Sequence, residues 1–279
     1  MSIYLNCYEM ISQLRYGINE HTTARVQGTD TTGAFKNENL LRELNSAQMF
    51  VQAVVRAQFP ELFFKSASVA GTASVYTLPA DLWKIKRLEH SNGEYIFPIN
   101  LDQKHTDNQT GSEYGYYRYG TSLRIDADNF TDTLTLWYES RCRDLDFGLS
   151  NAGGAASLTL ASTARPVADY YNGMSIENIT GGWVDTIDDY SAARVCTITE
   201  TGAASQYYGI ISELPEVFHQ LIIDRALIRL KSHPNSPVKV TALEVKTFQE
   251  DMSAALNSYG NTEPDMDTLI NDFMPYITD

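Results

Sequence analysis

The chain has 279 residues, 43% hydrophobic and 11% aromatic, which is enough to bury one large core or a main domain plus a smaller one and excludes global disorder. Its formal net charge of −14 sets 35 acidic against 21 basic side chains and argues against a nucleic-acid grip built on phosphate neutralisation. No apolar run approaches the roughly 20 residues that span a bilayer, and the N-terminus lacks the charged and apolar regions of a signal peptide, so a soluble chain made in a cytoplasm, with no membrane partner, is expected.

Residues 2–15 carry Ile3, Cys7, Met10, Ile11 and Leu14 at the 3–4 spacing of an amphipathic helix. The Thr- and Gly-rich stretch 22–33 reads as a loop. Asn37 is placed to cap a second helix, whose stripe of Leu40, Leu44, Ala47, Val51 and Val55 runs until Pro60, with Arg42, Glu43, Asn45, Gln52 and Arg56 on the polar side.

The stretch 69–147 organises the rest. A strand at 74–78 is stopped by Pro79, which fixes φ and removes a donor. Asn92-Gly93 is a strong hairpin signal before Tyr95-Ile96-Phe97, and two further strand-like runs follow at 114–125 and 133–140. In the second, Leu134, Leu136 and Tyr138 share one face and Thr133, Thr135 and Trp137 the other. A small antiparallel sheet is expected, covered by helices from both ends of the chain.

The small residues 151–156 break the composition and mark the entrance to an inserted module. Four short strands follow within 157–198, separated by turn pairs such as Asn172-Gly173 and Gly181-Gly182. Helix signals return at Ser212 and Pro215, with a stripe of Val217, Leu221, Ile222, Ala226, Leu227 and Leu230. A last helix is expected at 238–259, closed by Gly260. The tail 261–279 is acidic yet keeps Leu269, Ile270, Phe273, Met274, Tyr276 and Ile277. The expected fold is therefore α+β: a helical bundle, from the N- and C-terminal helices, packed on a small antiparallel sheet. Residues 1–148 with 210–260 form this core, 149–209 the inserted all-β module and 261–279 a docking tail.

Nothing points to catalysis. The three cysteines, Cys7, Cys142 and Cys196, have neither a disulfide nor a metal-ligand spacing and are expected to be buried thiols. The loop 126–132 repeats oxygen ligands like a calcium site, but the sixth position is Thr131 rather than Gly and the twelfth Trp137 rather than Glu. The five histidines show no catalytic pair, and phosphate-loop, nucleophile-elbow and zinc signatures are absent. No enzyme, metal or cofactor is expected. The tyrosines at 114, 116, 117 and 119 read as half-buried strand packing, whereas Tyr170, Tyr171 and Trp183 are candidate surface aromatics of the module, able to stack on a sugar.

Three segments, 39–47 (NLLRELNSA), 69–82 (VAGTASVYTLPADL) and 134–138 (LTLWY), follow one another as they do in the head-to-tail adaptor proteins of tailed bacteriophages, which the chain resembles. Residues 169–176, 188–190 and 194–198 also resemble a small β module of phage virion proteins, with a shorter hairpin at 180–183. The resemblance implies a virion protein at the head-tail junction: a dodecameric ring beneath the portal protein that extends the DNA channel and carries a tail or nozzle protein. Double-stranded DNA would be met only in transit. It also implies that the apolar residues of the tail dock on the portal. The competing expectation is a receptor- or glycan-binding tail component acting through the β module.

Overall fold

The computed structural model describes residues 5–100, 115–127 and 130–262, with side chains as far as 260. They form two compact units, Phe59–Cys142 and a larger one made of Met1–Gln58 with Arg143–Asp279. Mixed helix and several small antiparallel sheets make the chain α+β.

In the smaller unit a 3-10 turn, Pro60–Phe63, leads into eight strands among the described residues: β1 (Phe64–Val69), β2 (Gly71–Thr72), β3 (Val75–Thr77), β4 (Leu82–His90), β5 (Phe97–Pro98), β6 (Gly115–Tyr119), β7 (Ser122–Ile125) and β8 (Leu134–Ser140). The single sheet expected here is two, one in the order β1-β8-β4 and one in the order β2-β3-β7-β6-β5. Among the described residues only β5 and β6 pair in parallel. Leu134, Leu136 and Tyr138 point inward against Tyr76, Leu88 and Leu123, as their alternation requires. β1 is absent from the sequence reading, because its outward residues Phe64, Ser66 and Ser68 alternate with Lys65, Ala67 and Val69, of which only Val69 is fully buried. It forms because six consecutive residues find partners on β8. Gly93 takes φ 87° in the hairpin that follows β4, a conformation only glycine adopts without strain.

The larger unit opens with α1 (Cys7–Gly17). Asn6 accepts from the Glu9 amide at 2.9 Å while the Glu9 carboxylate accepts from the Asn6 amide, a capping box that starts the helix. A short helix, α2 (Thr23–Val26), interrupts the expected loop, and α3 (Asn37–Gln58) follows. Each leucine that α3 buries, Leu40 and Leu44 among them, contributes on the order of 2 kcal/mol of transfer free energy. Gln52, expected on the polar side of α3, is buried too. Asn37 is the first residue of α3 rather than its cap. Its amide is used elsewhere, accepting from Arg15 Nη2 at 2.6 Å and donating to the Val26 carbonyl at 2.9 Å.

Eight strands come next: β9 (Phe147–Leu149), β10 (Ala152–Gly154), β11 (Ser157–Thr159), β12 (Ser175–Asn178), β13 (Trp183–Thr186), β14 (Asp189–Tyr190), β15 (Val195–Thr197) and β16 (Tyr207–Ile210). They make two four-stranded antiparallel sheets, β10-β11-β15-β14 and β13-β12-β16-β9. The small-residue stretch at 151–156 forms β10 and its turn onto β11, with Ala156 at φ 57°.

A 3-10 turn, Glu216–Phe218, delays the next helix, so that α4 spans His219–Ser232. Ser212 does not cap it: its hydroxyl accepts from the Leu214 amide at 3.2 Å, ahead of the helix, and donates to Gln48 on α3 at 2.7 Å. The last helix, α5 (Ala242–Thr262), runs past Gly260 and is started by Thr241 and Glu244, each accepting from the other's amide. α4 packs on α1, α3 and α5.

Arg15, 2% exposed, ties the start of this unit together. Its guanidinium reaches Asn37, the Phe35 carbonyl at 3.2 Å and the Glu20 carboxylate at 3.5 Å, and Glu20 in turn accepts from the Ala34 amide at 2.6 Å. Replacing Arg15→Ala strands a buried carboxylate and should cost about 3–5 kcal/mol in denaturant unfolding. Lys246→Ala, which breaks an exposed pair with Glu250, should cost less than about 0.5 kcal/mol in the same measurement.

Candidate interaction surfaces

The three aromatics expected at the surface of the β module do not form one platform. Tyr171 is 1% exposed and sits edge-on between Tyr170 and Tyr190, each ring 4.9 Å away, so it belongs to the packing of the module. Tyr170 is half-buried, and its hydroxyl accepts from the Asp144 amide at 2.9 Å. Trp183 lies half-buried on β13, close enough to Gly181 that a Cβ there would stand 2.7 Å from its Nε1.

Beneath Tyr170 lies a charged knot that local sequence does not reveal. Arg143 meets Glu213 in a fork, Nη2 to Oε1 at 2.8 Å and Nε to Oε2 at 3.2 Å, and its Nη1 donates to the carbonyls of Tyr170 and Asn172. Both charges are largely withdrawn from water, and the planar fork satisfies them together. Arg165 and Asp144 add a more exposed pair at 2.6 Å.

Asp146 is the buried acid of this region. Its carboxylate accepts from the Tyr208 hydroxyl at 2.5 Å, which itself accepts from the Ala161 amide at 2.8 Å. Burial pushes the Asp146 carboxyl up to about 6, against the opposing pull of the Tyr208 and Thr163 hydrogen bonds and of Arg194. The same enclosure raises Cys7 and Tyr208 well above their ordinary values and Cys196 to about 12, so these are packing groups rather than nucleophiles. All three cysteines are buried. His219 is buried as well, its Nε2 2.8 Å from the Leu214 carbonyl, and desolvation lowers its pKa.

Other sequence candidates fall differently. Leu269, Ile270, Phe273, Met274, Tyr276 and Ile277 lie outside the described residues, as does Tyr114. The loop 126–132 is described only in part, and there Ser74 fastens it, donating to the Ala127 carbonyl and accepting from the Phe130 amide. Among the described residues no group of three His, Cys, Asp or Glu side chains is placed to hold a metal ion. No helix among them is long and apolar enough to cross a membrane. A cleft of ≈ 390 Å³ beside the start of α3 touches Arg15 and Arg25, but each already has its carboxylate, Glu20 and Asp30.

The least expected surface is the outer face of β1-β8-β4. Register sets Phe64 across from Glu139 and that across from Lys84, then Ser66 across from Trp137 and that across from Arg87. Phe64 is 50% exposed and Trp137 39%. Lys86 pairs with Glu139 and stands 5.2 Å from the Phe64 ring. Arg87 pairs with Glu89 at 2.6 Å and lies 5.7 Å from the Tyr95 ring, whose neighbour Phe97 is 53% exposed. The signals were present: Trp137 falls opposite the apolar face of β8, and 84–87 reads Lys-Ile-Lys-Arg.

The sequence profile of the SU10 adaptor protein family matches residues 6–161. No curated protein matches the chain. The matched segment contains α1 to α3, the whole smaller unit and the strands as far as β11.

Because the folded chain holds Asp146 protonated to a higher pH than the unfolded one does, this group favours folding most below about pH 4 and loses that contribution as the pH rises toward about 6. Asp146→Asn keeps an acceptor for Tyr208. It should unfold at a higher temperature than the parent at pH 7, by on the order of 2 kcal/mol of stability, with the advantage gone near pH 4. Thermal unfolding of both chains at the two pH values checks this.

Proposed function

The chain belongs to the SU10 adaptor protein family, a phage structural role, and from that premise we propose that it is the head-to-tail adaptor of its virion. In this reading it assembles as a ring beneath the portal protein, extends the DNA channel and offers the tail or nozzle protein its platform, without catalysing a reaction. The observation that carries the reading is the extent of the family match, which takes in more than half of the chain and all three segments of the adaptor resemblance.

The charge supports it. A net charge of −14 repels phosphate, which is what a wall for DNA in passage needs, since neutralising contacts would hold the duplex. Residues 149–209 are read as an inserted module of the adaptor core. In support, β9 and β16 lie side by side in one ladder, so the chain enters and leaves this segment at neighbouring points. The reading of the module as a glycan receptor rested on Tyr170, Tyr171 and Trp183, and with Tyr171 enclosed no observation favours it.

Leu269, Ile270, Phe273, Met274, Tyr276 and Ile277 are proposed as the portal anchors, because six apolar side chains in an acidic segment need a partner to cover them. Electron microscopy of the purified protein with the portal ring of the same virus tests the adaptor reading: a second ring on one end of the portal is expected, and a bare portal overturns it. Deletion of residues 263–279 should abolish that binding while the remaining chain keeps its thermal transition.

A further inference from the structure

Exposed aromatic side chains are unevenly distributed in this protein. Of the eight among the described residues, six stand on the smaller unit and two, Tyr16 and Phe50, elsewhere. Four of the six, Phe64, Tyr95, Phe97 and Trp137, are joined by the cation contacts and strand registers of the β1-β8-β4 face and its neighbouring hairpin. Large apolar rings left in water in one place mark a surface that another molecule covers, and aromatic residues with arginine are the side chains enriched at protein interfaces.

Charge says what kind of molecule. The rings are bordered by Lys84, Lys86 and Arg87, all exposed, the densest run of cations in a chain of 21 basic and 35 acidic residues. Glu89 and Glu139 offset part of this, since each is paired with one of these cations. Among the described residues outside 59–142 the chain carries 19 acidic and 13 basic side chains, a net charge of −6. Two such faces brought together would oppose cation to cation. The same face brought against the acidic remainder of another copy opposes cation to carboxylate.

We propose that the aromatic and basic face of β1-β8-β4 is a docking surface for a second copy of this chain, which it meets through that copy's acidic residues outside 59–142. The contact is heterologous, one surface on one copy meeting a different surface on the next, and a heterologous contact repeated by a closing rotation builds a ring. The inference deepens the adaptor reading, and rests on it for the ring, by naming the surface through which copies join. The rings supply buried apolar area at the centre, and the lysines and arginine fix which way round the next copy arrives.

The test uses the full chain with the photo-cross-linker p-benzoylphenylalanine in place of Phe64, mixed as labelled and unlabelled protein so that products between copies are recognised by mass. Irradiation over rising concentration at low salt should give dimers whose joined peptide comes from outside 59–142. Raising the salt, or introducing Lys84→Glu with Arg87→Glu, should cut the yield by about tenfold or more while the thermal transition stays in place. Phe97→Ser, which adds no charge, should also lower the yield. Products joining 59–142 to 59–142, yields indifferent to salt and charge reversal, or a chain that gives no dimer at any concentration would each overturn the proposal. The portal experiment separates the two readings: a chain that dimerises through this face but leaves the portal bare keeps the interface and loses the adaptor role, whereas one that caps the portal without cross-linking at position 64 does the reverse.

Discussion

The larger unit depends on strand β16. Its backbone pairs with β9 on one side and β12 on the other, so residues 147–149, 175–178 and 207–210 share one ladder. The start of α1 approaches it directly, with Asn6 bridging to Ile211 and the Asn6 side chain donating to Glu177 on β12 at 2.7 Å. That approach is possible because position 209 is glycine: a Cβ there would stand 2.8 Å from the Tyr8 amide. Tyr208, on the same strand, carries its hydroxyl inward to Asp146 and the Ala161 amide. A four-residue strand thus meets the backbone hydrogen-bonding demand of two distant strands, the next residue, Ile211, bridges to Asn6, and the helical and β parts of the unit close around them.

Polar groups inside this unit are held by geometry rather than by solvent. Arg15 with Glu20, Arg143 with Glu213 and Tyr208 with Asp146 each bring together groups separated by loops or whole sheets. Such pairs add little net stability over an apolar packing of the same volume, but breaking one leaves a buried charge. They therefore specify one arrangement of α1, the loop before α3 and the base of the β module.

The smaller unit works by the opposite division. Its apolar alternation is spent on the inner faces of two sheets, and its outer face keeps rings and cations in water. A sheet with one wet face ordinarily shows polar residues there, so the exposed Phe64 and Trp137 are a cost to the isolated chain that an interface offsets.

Periodicity located α1, α3, α4 and α5, with α1 and α4 starting later than expected, and turn chemistry located the hairpin at Asn92-Gly93 and the strands β11, β12, β13 and β15 of the β module, because these signals are local. The order of segments 39–47, 69–82 and 134–138 was enough to indicate the family, which the profile match bears out. What local signals could not carry is pairing. Whether β1 is a strand was decided by β8, whether Asn37 caps or braces was decided by Arg15, and the pairing of 151–156 was decided by β11. Whether Tyr171 faces solvent or Tyr190 was decided by the closure of a module whose strands are spread over some sixty residues. Side-chain type and spacing set what each segment can do; the partner that satisfies it, and so the face it buries, exists only once distant strands have met.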